Sequence, residues 1–238
     1  MRDNAVFVLV HSPLLGPSSW RWVARELRHR GRAALVPPLV DAADATWPTW
    51  SDACGAVNAA LPRRDAVVLV GHSGAGMLLP AIAESSESDV AGLVFVDAFL
   101  PPSGGVAGLV PAEFIDRLRA LASDDVLPSW STWFGQDAMR DLVPDDARRA
   151  EIDADMPRVP LSSLLAPVRI PERWERYPCA YVLLSVEPYA ASAAEARARG
   201  WPVAEVADGK HLDPVRRPTA VADALLAVEG ALAARGGS

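Results

Sequence analysis

The stretch Val70-Gly71-His72-Ser73-Gly74-Ala75-Gly76 constrains this chain more than any other. Before it runs Ala66-Val67-Val68-Leu69-Val70, continuous, apolar and β-branched, which predicts a strand buried on both faces of a parallel sheet. After it runs Met77-Leu78-Leu79-Pro80-Ala81-Ile82-Ala83, apolar and helix-compatible. Passing from buried strand to helix in so few residues demands a tight turn. The small residues Gly71, Gly74, Ala75 and Gly76 remove the side chains that would clash there. Ser73 then stands at the tip, its hydroxyl above the sheet and a helix N-terminus beside it. This is the strand–turn–helix setting of a Gly-x-Ser-x-Gly nucleophile turn, with Ala75 in the second small position.

The flanking chain alternates strand and helix. Ala5–Val10 predicts a first strand, followed by a loop, His11-Ser12-Pro13-Leu14-Leu15-Gly16-Pro17. A helix is expected from Trp20 to His29, a strand over Ala33–Val36, and a helix within Trp47–Leu61. Val90–Val96 predicts the strand after the serine turn, ending at Asp97-Ala98-Phe99-Leu100-Pro101-Pro102. From Ser103 to about Tyr177 no strong strand is expected. Prolines recur there between short helical stretches such as Glu113–Leu121 and Asp145–Met156. Alternation resumes with a strand at Cys179–Ser185, a helix at Ala190–Arg199, a strand at Val203–Val206 and a last helix opening at Pro218. The expected fold class is therefore α/β, a mostly parallel sheet with helices on both faces. Residues 1–102 and 177–238 would form the core and 103–176 a small helical cap over the strand ends, where such sheets bind ligands.

A serine hydroxyl needs a base to take its proton and a third group to orient that base. Of four histidines, His11 lies in the first loop, His29 at a basic helix end, and His72 beside the serine but pointing away from it. His211 lies after the last strand, in Ala207-Asp208-Gly209-Lys210-His211-Leu212-Asp213-Pro214, where a neighbouring loop can reach the turn. Two carboxylates compete as its partner: Glu187, in Val186-Glu187-Pro188-Tyr189, and Asp97. Asp208 and Asp213 lie too near His211 in sequence to be first choices. Negative charge developing on a carbonyl oxygen requires preorganised donors. The Gly74 N–H is one. The first loop should supply the second, but Pro13 has no N–H to give, which leaves the Leu14 N–H or the Ser12 hydroxyl.

Composition narrows the partners. The chain has 238 residues, half of them apolar, and a formal net charge of −7. That disfavours nucleic acid or an anionic membrane as a partner. Cys54 and Cys179 match no metal spacing and suit buried free thiols of a reducing cytosol. No secretory leader is expected from Met1-Arg2-Asp3-Asn4 and the short strand behind it. A cytoplasmic protein acting on a small molecule is the expectation. Among the motifs, no phosphate loop, dinucleotide fingerprint or metal cluster is found, so no cofactor and no metal are implied.

With these pieces together, the chain resembles the α/β-hydrolase fold family over nearly its whole length. The resemblance rests on His11-Ser12-Pro13…Gly16…Trp20, the turn around Ser73, Val96-Asp97-Ala98-Phe99-Leu100-Pro101, the strand leading to Glu187, and the His211 loop. It is nearest the branch of plant methylesterases and hydroxynitrile lyases and related actinobacterial hydrolase-like proteins. The resemblance implies Ser73 as nucleophile, His211 as base, Gly74 as a donor to the oxyanion, and Glu187 as the acid after the seventh strand, where Asp is usual. The family's first loop commonly reads His-Gly followed by the second donor; here Ser12 and Pro13 stand in those positions. A hydrolase of a small ester, thioester or lactone is expected. The competing expectations are a lyase or cyclase of a polyketide-like metabolite on the same fold, and a binding protein that has kept the pocket. Trp130, Trp133 and Phe134 are expected to line an apolar substrate pocket.

Overall fold

Strands made wholly of buried apolar residues have no solvent face, so they pair in parallel and take helices on both sides. The computed structural model describes residues 5–40 and 47–235. The leading Met1–Asn4 and the Gly-rich end of the chain lie outside them. In chain order the core elements are β1 (Val6–Val10), α1 (Ser18–His29), β2 (Ala34–Leu35), α2 (Trp50–Ala60), β3 (Ala66–His72), α3 (Leu79–Ser85) and β4 (Asp89–Val96). After an intervening segment come β7 (Cys179–Leu183), α8 (Val186–Ala198), β8 (Val203–Glu205), α9 (Asp213–Arg216) and α10 (Pro218–Arg235). The six-stranded sheet has the order β2-β1-β3-β4-β7-β8, and every pairing in it is parallel. One apolar layer beneath the sheet holds Trp20, Val23 and Leu27 of α1 with Val221, Leu225 and Val228 of α10. The opposite layer holds Val57 of α2, Ile82 of α3 and Ala193 of α8.

The register places the functional loops. His72 pairs with Val96, Val96 with Val182, and Leu183 with Glu205. The residues that follow β3, β4, β7 and β8 therefore leave the sheet along one edge. The strand order also reverses between β1 and β3, which opens a crevice between the loops after those two strands.

The segment between β4 and β7 contains α4 (Ala112–Leu121), α5 (Gln136–Leu142), α6 (Asp146–Asp155) and α7 (Leu161–Leu164). It also holds two strands that its sequence did not announce, β5 (Gly105–Ala107) and β6 (Val168–Ile170), paired antiparallel. Three residues each, they are too short to carry a periodic signal. Asp155 at the end of α6 accepts the Ser18 N–H at 2.8 Å and the Ser18 hydroxyl at 2.6 Å, tying this segment to the start of α1. No helix among the described residues is long and apolar enough to cross a membrane.

Candidate active site

Ser73 follows β3 directly and holds φ 57, the left-handed region that costs a non-glycine residue about 1–3 kcal/mol. The expected helix does not begin there. Ser73–Leu78 form a 3₁₀ turn, and α3 starts at Leu79. Pro80 accounts for the delay, since it has no N–H for an α-helical bond to Gly76 and is tolerated only in a first turn. Gly76 answers to packing: a Cβ there would lie 2.7 Å from Ala98 Cβ. The serine turn and the loop after β4 are thus pressed together.

Asp97 follows β4 directly with φ 43 and is fully buried. Its Oδ1 accepts the Leu184 N–H at 2.6 Å and the Ser185 N–H at 3.0 Å. Its Oδ2 accepts the Ser185 hydroxyl and, at 3.1 Å, His211 Nδ1–H. Burial alone would push this carboxyl up, but the hydrogen bond and charge of His211, with Ser185 and Leu184, hold it below the usual carboxylate range. The Tyr181 hydroxyl clamps the next residue, donating to Ala98 O at 2.8 Å and accepting Ala98 N–H at 3.1 Å.

The carboxylate on His211 is therefore Asp97 and not Glu187, to which the family resemblance pointed. The reason is register. Past Leu183 the chain turns its Leu184 and Ser185 N–H groups onto Asp97, so β7 supplies donors to the site instead of an acid. Glu187, two residues farther on, is exposed and lies on the cavity rim. Asp213 is buried and paired with Arg216 Nε at 2.6 Å.

His211 comes after β8 in a loop that runs against the end of β7. A Cβ on Gly209 would lie 2.1 Å from Leu184 O, so this approach requires glycine. Donation from Nδ1 to Asp97 leaves Nε2 with a free lone pair. His72 turns into the core, and its Nε2–H donates to the His211 carbonyl at 3.0 Å. Trp20 packs edge-on against the His72 ring at 5.8 Å. Burial first, then the His211 charge, lowers the His72 pKa from 6.5 to about 3. Between those values only the unfolded chain takes up this proton, so stability falls as pH drops from 6.5 toward 3. His72→Gln, which keeps an N–H donor, should flatten the slope of unfolding free energy against pH in that window by about 1.4 kcal/mol per pH unit. Denaturant melts across the window measure it, and an unchanged slope would show that His72 does not titrate with unfolding.

The first loop is held by His11. Leu39 N–H donates to His11 Nε2 at 3.1 Å, so the ring proton sits on Nδ1, which donates to Ser12 O at 2.9 Å. The Leu14 N–H is turned onto Ser12 Oγ at 3.3 Å. The Pro13 ring abuts Gly74, with Cδ 3.4 Å from where a Cβ would stand. Of the two donors the sequence left open, the Ser12 hydroxyl is the one with a hydrogen to spare.

Ser12, Leu14, Ser73, Gly74 and His211 all line one cavity of about 320 Å³. Trp130, Trp133 and Phe134 line it too, from the segment between β4 and β7. Trp130 lies 6.4 Å from the His211 ring. Its other walls are mainly aliphatic and aromatic, with Arg117 and Glu187 as the charged groups. Cys54 and Cys179 are free and buried. Among the described residues no group of His, Cys, Asp and Glu is arranged to hold a metal ion. The sequence missed Tyr189, whose buried ring also forms a wall. Its one cue was its place two residues after Glu187.

Comparison with known proteins agrees with this architecture. The chain is 32% identical to the carbendazim hydrolyzing esterase of Nocardioides sp. (strain SG-4G) over 138 residues, 50% of this chain and 56% of that protein. It is 34% identical to the probable esterase PIR7A of Oryza sativa over 126 residues, 48% of this chain and 46% of that protein. The chain thus spans about half the length of these curated relatives. Among solved structures, an extracellular α/β-hydrolase from a Paenibacillus species superposes with a TM-score of 0.72 at 20% identity, covering 94% of this chain and 99% of that one. A model of the alpha/beta hydrolase family matches residues 7–224, and with the parallel sheet and the serine turn in place, the chain belongs to that family.

Proposed function

We propose that this protein hydrolyses an apolar carboxylic ester, with Ser73 as nucleophile, His211 as base and Asp97 as the group that orients it. The observation that carries this reading is His211, joined through Nδ1 to the buried Asp97 while its ring faces the cavity that Ser73 lines. Ser73 Oγ attacks the carbonyl carbon as its proton passes to His211 Nε2. Asp97 keeps the Nδ1–H tautomer and stabilises the imidazolium without taking the proton. The Gly74 N–H and the Ser12 O–H receive the oxyanion. Collapse expels the alcohol, which takes the proton from His211, and water then cleaves the acyl-enzyme with His211 again as base. The esterase names of both curated relatives support this reaction class. The largely apolar cavity walls favour an apolar substrate.

Purified protein should release phenol from a short-chain aryl ester and react covalently with a fluorophosphonate at Ser73. Absence of both would overturn the reading. One observation favours a second chemistry, elimination or cyclisation: Pro13 removes the backbone donor on which acyl transfer relies. The Ser12 hydroxyl decides between them. For an esterase, Ser12→Ala should lower kcat on an aryl ester by about 100–1000-fold, the usual effect of losing one oxyanion donor. Undiminished kcat would mean that no second donor is used there.

A further inference from the structure

Tyr189 is the group at the reacting centre to which the triad gives no part. Its ring is stacked on the His211 ring, centroids 5.2 Å apart and planes 12° from parallel. Phe99 packs against it at 5.2 Å. The side chain is 8% exposed, and the little surface it keeps is cavity wall. The Ser73 hydroxyl beside it draws the phenol pKa down against burial, and both residues line the same cavity. Held between Phe99 and His211, the phenol is fixed on the base's side of the nucleophile.

That is the side on which the alcohol must leave, because one imidazole nitrogen has to reach first Ser73 Oγ and then the departing oxygen. We propose that Tyr189 is a further catalytic residue, whose hydroxyl holds Ser73 Oγ in the free enzyme and hydrogen-bonds to the leaving-group oxygen as the acyl-enzyme forms. The proposal rests on the esterase reading. In that step the bond from Oγ to the acyl carbon forms, and the bond from that carbon to the leaving oxygen breaks. The proton lost by Ser73 travels through His211 Nε2 to the leaving oxygen. Tyr189 keeps its own proton and lends only the hydrogen bond. Burial pushes the phenol up to about 12, so it remains a neutral donor throughout the working range of an imidazole base.

A donor on the leaving oxygen matters most when that oxygen leaves as a strong base. The test is kcat/KM, which reports acylation, for wild type and Tyr189→Phe across phenyl esters of one acyl group, from p-nitrophenyl to p-cresyl. The phenylalanine keeps the stacking on His211 and Phe99 and deletes the hydroxyl alone. The variant should lose about 10- to 30-fold on the p-cresyl ester and less than about threefold on the p-nitrophenyl ester, so that rate depends more steeply on leaving-group basicity. Equal losses along the series would assign Tyr189 a merely structural role and overturn the proposal. No loss on any ester would overturn it as well. If wild type cleaves none of these esters, the esterase reading fails first and Tyr189's part in it fails with it. An active wild type with parallel slopes removes Tyr189 alone.

Discussion

Asp97→Asn should lower kcat on an aryl ester by about 10⁴-fold, while Glu187→Gln stays within about threefold of wild type. Asp97 is the carboxylate that accepts His211 Nδ1–H, and an amide there can present an N–H and hold the ring in the wrong tautomer. The same change should also cost stability. The Leu184 and Ser185 N–H groups and the Ser185 hydroxyl all point at the carboxylate, and an amide nitrogen among them leaves at least one buried donor unmatched, at about 1–3 kcal/mol. Glu187 is exposed on the cavity rim, so its charge can be removed without disturbing the base. Steady-state kinetics on both variants, with thermal melts to show that they fold, make the comparison. An inactive Glu187→Gln beside an active Asp97→Asn would return the acid to the loop after β7.

Ser73→Ala should lower kcat by about 10⁵–10⁶-fold, since removing the nucleophile disables the triad as a unit. Ser73→Gly should be equally inactive, but the two variants should differ in stability. With φ 57 at this position, alanine retains the Cβ that the left-handed region penalises, and glycine does not. The glycine variant should therefore unfold about 1 kcal/mol later than the alanine variant. Equal stabilities would mean that the turn relaxes once the hydroxyl is gone. Near-wild-type turnover by either variant would remove Ser73 from the mechanism.

The parts of the site that were legible in the sequence are those set by neighbours along the chain. The run Ala66–Val70 has no polar face, so it had to be a buried parallel strand, and the small residues after it had to turn sharply with Ser73 at the tip. His211 was legible for a related reason: it follows the last short strand of an alternating pattern, and a parallel sheet delivers all such loops to one edge. The carboxylate that meets His211 was not legible in this way. Asp97 and Glu187 both follow strands at that edge, and local sequence treats them alike. The choice came from the pairing of Val96 with Val182, which sets Asp97 opposite the Leu184 and Ser185 N–H groups, and from the close approach of Gly209 to Leu184 O, which brings His211 down to the same carboxylate. Tyr189 depended on tertiary structure in the same way, because stacking on a ring 22 residues later leaves no periodic trace in the chain. Elements and turns follow from short-range sterics and apolar periodicity; which side chains meet above the sheet follows from register and packing between strands distant in sequence.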